Sequence, residues 1–282
     1  MTEPVFEDLY TPTYVRRQLE KFRNRHDSHW KDHLDLAASL AGRFAPPPPA
    51  RMLDLGCSIG TFALEFALKG YDTVGLDLDE KSLEQGKALA EELGVNPSWV
   101  RSDATRFSLD TPVDFVVCFD LLEHLFDDQI RGMLRSVHDA LRPGGVFLFH
   151  TFPTRYDHVF YRNNVFPLPL IPFRGLPPAA FTALTRVYAG ALDLYYLARK
   201  GKTWKSIIRN TVHPNPLSAE RVGALCEEAG LKVELLETGL DTVNALKPGQ
   251  GDMAKRHFAH QPVAMRSIWG AARRPMGQGE QA

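Results

Sequence analysis

The sequence predicts an α/β fold built around a mostly parallel sheet, and three observations carry this prediction. Arg51–Leu55 is a short, largely apolar run that ends in a glycine-rich turn, and a segment with one apolar helical face begins near Gly60. Thr73–Leu78 is apolar on both faces, which is typical of a strand buried in a parallel sheet. Strand-like and helix-like segments then alternate as far as His150. A chain of 282 residues, 44% of them hydrophobic, can bury one large domain of this kind with an inserted or appended subdomain.

Composition narrows the functional classes. The formal net charge is −1, which argues against a protein that grips a nucleic-acid backbone, since such proteins normally carry a basic face. The three cysteines lie far apart and form neither C-x-x-C nor zinc-ligand spacing, which fits a reducing cytoplasm. The N-terminus lacks the apolar core of a signal peptide, and no apolar run reaches membrane-spanning length. We therefore expect a cytoplasmic protein that has a small-molecule partner, no nucleic-acid partner and no integral membrane segment.

The turn after the first predicted strand is suited to a ligand that approaches the backbone closely. Gly56 and Gly60 bracket the turn, so bare backbone N–H groups face outwards with the positive end of a helix dipole behind them. A dinucleotide site requires G-x-G-x-x-G, in which two glycines let the pyrophosphate touch the backbone. Here the spacing is G-x-x-x-G, and Ser58 stands where the middle glycine would be. This spacing suits a pyrophosphate poorly.

Five motifs within about residues 50–150 resemble those of the class I S-adenosylmethionine-dependent methyltransferases, and they occur in the same order. The glycine turn is similar to the first motif of that family, D-x-G-x-G-x-G. The five segments are Asp54–Gly60, Val74–Asp79, Arg101–Ala104, Val113–Leu125 and Leu141–Phe149. The resemblance implies a Rossmann-like α/β sheet of seven strands, mostly parallel with an antiparallel last strand. It also implies S-adenosylmethionine as the cofactor.

The same resemblance implies cofactor contacts at the carboxyl ends of the strands, where ligands bind in open α/β sheets. Asp77 would accept both ribose hydroxyls, and the alternative role of helix N-cap can fall to Asp79 or Ser82. Asp103 would accept from the adenine amino group while Ala104 presents its backbone N–H, unless Asp103 is an ordinary turn aspartate. The predicted cofactor-binding residues are Asp54, Gly56, Cys57, Ser58, Gly60, Asp77, Leu78, Asp103, Ala104 and Phe119.

A D-x-x-E-H sequence, formed by Asp120, Glu123 and His124, follows the fourth predicted strand. It is similar to the E-x-x-E-H of ubiquinone-pathway O-methyltransferases and small-RNA 2′-O-methyltransferases, in which those side chains hold a divalent cation. Here the first acid is one methylene shorter, and many small-molecule methyltransferases carry L-E-H without a metal. We predict no metal ligands, although a divalent cation stays an open alternative. The Glu–His pair could also be purely structural. The predicted catalytic residues are His124, Glu123 and His150, because histidine suits proton removal near neutral pH.

Residues 151–212 depart from the minimal fold and are rich in proline and aromatic side chains. We predict a helical lid insertion that excludes water and suits a substrate with hydrophobic bulk. Two alternatives are packing on the sheet or a second subunit, and a basic amphipathic helix on a membrane surface. The other predicted parts are an N-terminal helical cap at 1–45, the cofactor-binding core at 46–150, the C-terminal part of the core at 213–272 and a flexible tail at 273–282.

The predicted function is methyl transfer to a small, partly hydrophobic metabolite, with oxygen as the favoured acceptor atom. One alternative is a non-catalytic cofactor-binding or interaction protein on the same fold. The other is an RNA 2′-O-methyltransferase, against which the missing basic excess counts. A homo-oligomer is possible. In the cap, Tyr10, Tyr14 or Trp30 could contact the sulfonium by a cation–π interaction, or these aromatic residues could simply anchor the helix.

Overall fold

A mixed sheet of seven strands forms the centre of the structure, a computed structural model that describes residues 11–26, 29–208, 213–239 and 251–277. The strands are β1 (Arg51–Leu55), β2 (Asp72–Asp77), β3 (Ser98–Arg101), β4 (Val113–Phe119), β5 (Leu141–Thr151), β6 (Lys232–Gly239) and β7 (Ser267–Arg273). Their order across the sheet is β3-β2-β1-β4-β5-β7-β6. The first five strands are parallel, and β7 runs antiparallel to both of its neighbours. The predicted Rossmann-like sheet with an antiparallel last strand is confirmed.

Helices cover both faces of this sheet and form a further layer beside it. The α-helices of the described residues are α1 (Pro12–Arg23), α2 (His29–Phe44), α3 (Thr61–Leu68), α4 (Glu80–Leu93), α5 (Asp127–Ala140), α6 (Asp157–Phe160), α7 (Pro178–Lys200), α8 (Trp204–Ile208), α9 (Ala219–Glu228) and α10 (Asp252–Phe258). Short 3-10 helices occur at Leu122–His124, Leu168–Phe173 and Pro262–Ala264. Within the described ranges, no helix combines the length and the apolar character that crossing a membrane requires.

Both faces of the sheet are buried, because neighbouring residues along each strand enter two different apolar cores. Leu53 and Phe147 belong to the core on the side of α5 and α9. Met52 and Val146 belong to the core on the side of α2 and α3. This two-sided burial explains why the strands are continuous apolar runs in the sequence. It also leaves the carboxyl ends of β1, β2 and β4 together at one edge, where the loops can form a site.

Residues 151–208 leave the sheet and form a helical layer that has an apolar core of its own. Phe160 and Phe181 are fully buried in this core together with Phe258 of α10. The rings of Phe181 and Phe258 stack with their centroids 5.6 Å apart. A helix that follows β6 in sequence therefore completes this layer. Tyr10, residues 209–212 of the predicted insertion and residues 278–282 of the predicted tail lie outside the described residues.

Three boundaries differ from the sequence predictions. The apolar run over residues 146–149 predicts that the fifth strand begins at Val146, whereas it begins at Leu141, because Leu141 already pairs with β4 ahead of a register shift. The sequence also predicts a strand over residues 262–272, and this prediction is wrong at its start, because Pro262–Ala264 forms a 3-10 helix and β7 begins at Ser267. Proline has no N–H to give to a sheet, and its fixed φ suits the first position of a helix. Arg273, which the sequence analysis places in the tail, is the last residue of β7.

The Trp99 ring of β3 packs against three glycines from different elements. A Cβ atom added to Gly60, Gly75 or Gly86 would come within 2.3, 2.8 and 2.6 Å, respectively, of a ring atom of Trp99. These separations are shorter than any ordinary carbon–carbon contact, so a larger residue would displace the ring or the backbone. The indole of Trp99 therefore packs directly against the backbone of the glycine turn, β2 and α4.

We expect Gly86→Ala to lower the free energy of unfolding by about 1–3 kcal/mol, because the new methyl group would overpack the Trp99 ring. Gly42→Ala is the matched control, since Gly42 also lies inside a helix and nothing lies within 4 Å of its added Cβ. We expect the control to gain about 0.5–1 kcal/mol from helix propensity. Urea unfolding followed by circular dichroism measures both variants. Equal stabilities would contradict the packing of Trp99 on Gly86.

Candidate active site

The glycine turn lies between β1 and α3 and has three residues in the left-handed region. Gly56, Ser58 and Gly60 have φ values of 73°, 51° and 78°. The N–H groups of Gly56 and Cys57 both donate to the Leu76 carbonyl of β2, at 2.9 and 3.0 Å. The positive φ of Ser58 is strained for a non-glycine residue. The Tyr14 hydroxyl donates to Ser58 Oγ at 3.3 Å, a contact that no pattern in the sequence marks.

Asp77 ends β2 beside this turn and is buried. Its Oδ2 accepts from the Ser58 N–H at 2.7 Å, and its Oδ1 accepts from the Asp79 N–H at 2.9 Å. The N-cap role in α4 belongs to Asp79, whose side chain accepts from the Ser82 N–H at 3.0 Å. Asp77 is therefore held rigidly at a strand end without capping a helix. This position is compatible with the predicted contact to ribose hydroxyls.

Asp54 is buried at the end of β1, behind the turn. Its Oδ2 accepts from the Ala63 N–H at 2.9 Å, near the start of α3. Burial, with a smaller contribution from nearby Asp77, raises the pKa of Asp54 to about 7. The raised pKa favours the protonated form of this carboxyl group more than in an exposed aspartate, and a cation bound nearby would favour its ionised form.

A cavity of about 200 Å³ opens at this edge of the sheet. The N-terminal helices supply one side of it, with Tyr14 and Lys21 from α1 and Trp30 from α2. Burial lowers the pKa of Lys21. Ligand sites usually measure roughly 300–1,000 Å³, so a cofactor and an acceptor together need more room than this closed arrangement gives. The other lining residues are Gln18, His33, Asp54, Gly56, Cys57, Ser58, Ile59, Thr61, Phe62, Phe119, Asp120, Glu123, His124, Phe152 and His213.

The predicted cofactor residues divide into two groups. Those at the cavity wall are Asp54, Gly56, Cys57, Ser58 and Phe119. The others, Gly60, Asp77, Leu78, Asp103 and Ala104, lie outside the set of residues that line it. Asp103 Oδ1 accepts from the N–H and the hydroxyl of Thr105, both at 2.8 Å, as a turn aspartate does. The adenine and ribose contacts of this second group stay predictions, as does the lid role of residues 151–212. Among the described residues of that segment, Phe152 lines the cavity.

Asp120 lies between two histidines directly after β4. Its φ is 58°, and its N–H donates to the His150 carbonyl at 3.0 Å. His150 Nδ1 lies 2.6 Å from Asp120 Oδ1, and His33 Nε2 lies 2.9 Å from Asp120 Oδ2. Burial alone would raise the pKa of Asp120, but the two histidines outweigh it and hold the pKa well below its usual range. His150, a predicted catalytic residue, is fully buried behind Asp120, whereas His33 lines the cavity.

Glu123 and His124 belong to a second group, which His213 completes. Glu123 is fully buried, its Oε2 accepts from the Thr151 hydroxyl at 2.8 Å, and its Oε1 has no hydrogen-bond partner within the described chain. Burial, followed by the nearby Asp120 charge, raises the pKa of Glu123 well above its usual value. The rings of His124 and His213 have centroids 5.0 Å apart. Burial and the neighbouring His124 lower the pKa of His213 to about 4.

The D-x-x-E-H residues therefore do not converge on one point. The potential ligand atoms of His33, Asp120 and His150 lie within 4.8 Å of one another, and the same holds for Glu123, His124 and His213. His33 and His213, which come from α2 and from the segment before α9, are not among the predicted site residues. Each is a lone histidine in an unremarkable stretch, so no local pattern in the sequence marks it as part of a site.

The profile of a family described as a methyltransferase domain matches residues 24–236, which is most of the chain. The chain belongs to the class I S-adenosylmethionine-dependent methyltransferases. Its cofactor is S-adenosylmethionine, and the order of its strands agrees with this assignment. The resemblance that the five sequence motifs carry is confirmed.

Curated relatives match part of this methyltransferase. A ubiquinone biosynthesis O-methyltransferase of Aliivibrio fischeri is 34% identical over 103 residues, which are 36% of this chain and 43% of the relative. Another, from Chromobacterium violaceum, is 31% identical over 122 residues, which are 43% of this chain and 49% of the relative. The matched part thus spans less than half the length of either relative.

Solved structures resemble the methyltransferase over most of its length. An S-adenosylmethionine-dependent methyltransferase from Clostridium acetobutylicum has a TM-score of 0.56 at 11% identity, covering 95% of this chain and 100% of that chain. The [4+2]-cyclase SpnF has a TM-score of 0.53 at 16% identity, covering 86% of this chain and 81% of that chain. Likeness at such identities shows the fold alone, so the acceptor has to be argued from the site.

We expect the affinity for S-adenosylmethionine to rise with pH from about 5 and to level off above the Asp54 pKa of about 7. The positively charged cofactor favours the ionised carboxylate, so binding below that pKa must release a proton. Calorimetric titration in two buffers of different ionisation enthalpy measures this proton. Titration of the cavity histidines would also make the affinity rise with pH. Asp54→Asn is therefore the control, and it should flatten the profile of affinity against pH. An unchanged profile in Asp54→Asn would exclude Asp54 as its source.

Asp77→Asn should weaken cofactor binding at least about tenfold, because an amide replaces one of the two carboxylate acceptors at the end of β2. Asp72→Asn is the matched control, since Asp72 begins the same strand and forms an exposed ion pair with Arg51. Equilibrium binding of labelled S-adenosylmethionine measures both variants. Equal affinities in the wild type and Asp77→Asn would overturn the assignment of Asp77 to the ribose.

Proposed function

We propose that this methyltransferase transfers a methyl group to a hydroxyl oxygen of a small, partly hydrophobic metabolite. The observation that carries the proposal is the wall of the cavity next to the glycine turn. There the imidazoles of His33, His124 and His213 line the same cavity as the aromatic rings of Trp30 and Phe119. A phenolic or similar hydroxyl needs a weak base, and the rings suit an apolar body.

The residues at the strand ends fit the cofactor. Asp77 offers a fixed carboxylate for ribose hydroxyls, the glycine turn offers close backbone approach, and Asp54 offers a carboxyl group that a cation would ionise. When bound, S-adenosylmethionine supplies an activated methyl group. The chain's own part is to hold the acceptor oxygen in line, to keep water out and to receive the hydroxyl proton.

His124 is the residue that we propose receives the proton. It lies at the cavity wall, and its neighbour His213 stays neutral at physiological pH because its pKa is about 4. Because His213 is neutral, a proton transferred to His124 meets no positive charge on the neighbouring ring. Glu123, whose raised pKa favours the protonated form, can donate a hydrogen bond to the acceptor through Oε1.

The names of the matched relatives agree with oxygen as the acceptor atom, because both are ubiquinone biosynthesis O-methyltransferases. The three cysteines are buried and free, which fits action in a reducing cytoplasm. A small-molecule acceptor is in keeping with the family as a whole.

The proposal is tested by mass spectrometry of methyl transfer from labelled S-adenosylmethionine to a panel of phenols, catechols, carboxylic acids and amines. We expect product with hydroxyl acceptors and a decrease in kcat of about 10²–10⁴-fold in His124→Ala. His138→Gln, which changes a histidine of α5 outside the cavity, should retain full activity. Methylation restricted to amines would refute oxygen as the acceptor, and full activity in His124→Ala would refute the role of His124.

The same assay with a chelator tests the open question of a divalent cation. We expect product formation to continue in excess chelator, because the D-x-x-E-H side chains are divided between two groups. Product that disappears with chelator and returns with Mg²⁺ would contradict this expectation. It would show that one of the two groups holds a cation, since each offers a carboxylate and two imidazoles within 4.8 Å.

A further inference from the structure

The outer face of α7 is apolar along its length. Ala183, Val187, Gly190, Leu194 and Leu197 are spaced i, i+4, i+7, i+11 and i+14, so they form one stripe on a helix that turns about 100° per residue. All five are exposed to solvent, with Val187 at 73% and Leu194 at 69%. A water-facing stripe on a surface helix normally carries charged or polar residues, so this one indicates a contact with something apolar.

The opposite face of α7 fixes the direction of this stripe. Phe181, Thr185, Leu192 and Tyr196 are buried against the helical layer. Phe181 stacks on Phe258, which fixes the start of the helix against α10. The helix therefore cannot rotate to bury its apolar stripe without breaking this core. The stripe is a constant feature of the folded chain and not a loosely packed side of the helix.

The segment before α7 adds further exposed apolar side chains. The Tyr188 hydroxyl donates to the Phe166 carbonyl at 2.7 Å, which ties this segment to α7. The exposed apolar residues of the segment are Val165, Leu168, Phe173 and Leu176. Large apolar side chains are thus exposed both on the helix and on the segment that leads into it, which a single protruding residue would not explain.

The charge of this part of the chain is strongly positive. Residues 151–208 contain eight lysine or arginine residues and two aspartates, a net charge of +6, although the whole chain has a net charge of −1. Both aspartates are half-buried, and Asp157 lies 2.8 Å from Arg266 in an ion pair. Asp193 accepts from the Trp204 N–H at 2.7 Å. The exposed charges of this segment, in its described residues, are therefore all basic.

We propose that the outer face of α7 binds the surface of an anionic phospholipid bilayer. The apolar stripe would enter the boundary between headgroups and acyl chains, while the exposed basic residues, among them Arg186, Lys200 and Lys202, would contact lipid phosphates. A second copy of the chain fits this face less well, because a symmetric contact would bring two +6 segments together without exposed acids to pair with them. This inference does not depend on the identity of the methyl acceptor.

The test is flotation of the full chain with vesicles, either of phosphatidylcholine alone or of phosphatidylcholine mixed equally with phosphatidylglycerol. We expect flotation with the anionic vesicles, little with the neutral ones, and a decrease at high salt. The double variant Val187→Glu/Leu194→Glu should weaken binding to anionic vesicles by about tenfold or more, because it places two acids on the apolar stripe. Leu68→Glu is the matched control, since Leu68 is an apolar residue of α3 that is 47% exposed outside this segment.

Thermal unfolding and cofactor binding of each variant show whether it is folded, so a loss of flotation can be assigned to the surface. Four outcomes would overturn the proposal. The wild type could fail to float with anionic vesicles, or the folded double variant could float as well as the control. The wild type could instead sediment as a dimer that the double variant dissociates, which would assign the face to a second copy. Binding to single-stranded RNA in place of vesicles would likewise reject a bilayer as the partner.

Discussion

Four acidic side chains meet at the carboxyl edge of the sheet, and the arrangement of the site follows from how each one is accommodated. Asp54, Asp77, Asp120 and Glu123 cannot all be buried as unpaired anions, since each charge would raise the energy of the others. Asp77 is held by two backbone N–H groups, and Asp120 lies between two histidines. Burial instead raises the pKa of Asp54 and Glu123, which favours their neutral forms. The edge thus accommodates four acids without four unpaired charges, and a cationic cofactor would favour the ionised form of Asp54.

The N-terminal helices α1 and α2 close this edge, and apolar packing and ion pairs attach them to it. Phe22 of α1 packs with Ile59 of the glycine turn, and Arg25 forms a buried ion pair with Glu65 of α3. His33 of α2 reaches Asp120, so the cap is tied to the acidic edge as well as to the sheet. Since the closed cavity is small, these contacts must loosen or shift when ligands enter.

The sequence is informative where periodicity and strand ends decide the structure. The apolar runs predict the strands, and their order places Asp77 at a strand end, because parallel strands have a single ligand-binding edge. The meeting of His33 with Asp120, and of His213 with His124, depends on tertiary packing between distant segments, which local patterns do not encode. The left-handed φ of Asp120 is equally invisible, although it decides which side the carboxylate faces. The D-x-x-E-H spacing thus predicts where the site lies but not which side chains lie together in it.

The separation of charge along the chain has a consequence for how the protein behaves in purification and in a field. A net charge of −1 conceals a segment of +6 and a remainder of −7. We expect such a separation of charge to let both cation- and anion-exchange resins retain the protein under the same conditions. We also expect a negatively charged interface to attract the +6 segment first. The net charge of the whole chain is therefore a poor guide to which side of this protein approaches a surface first.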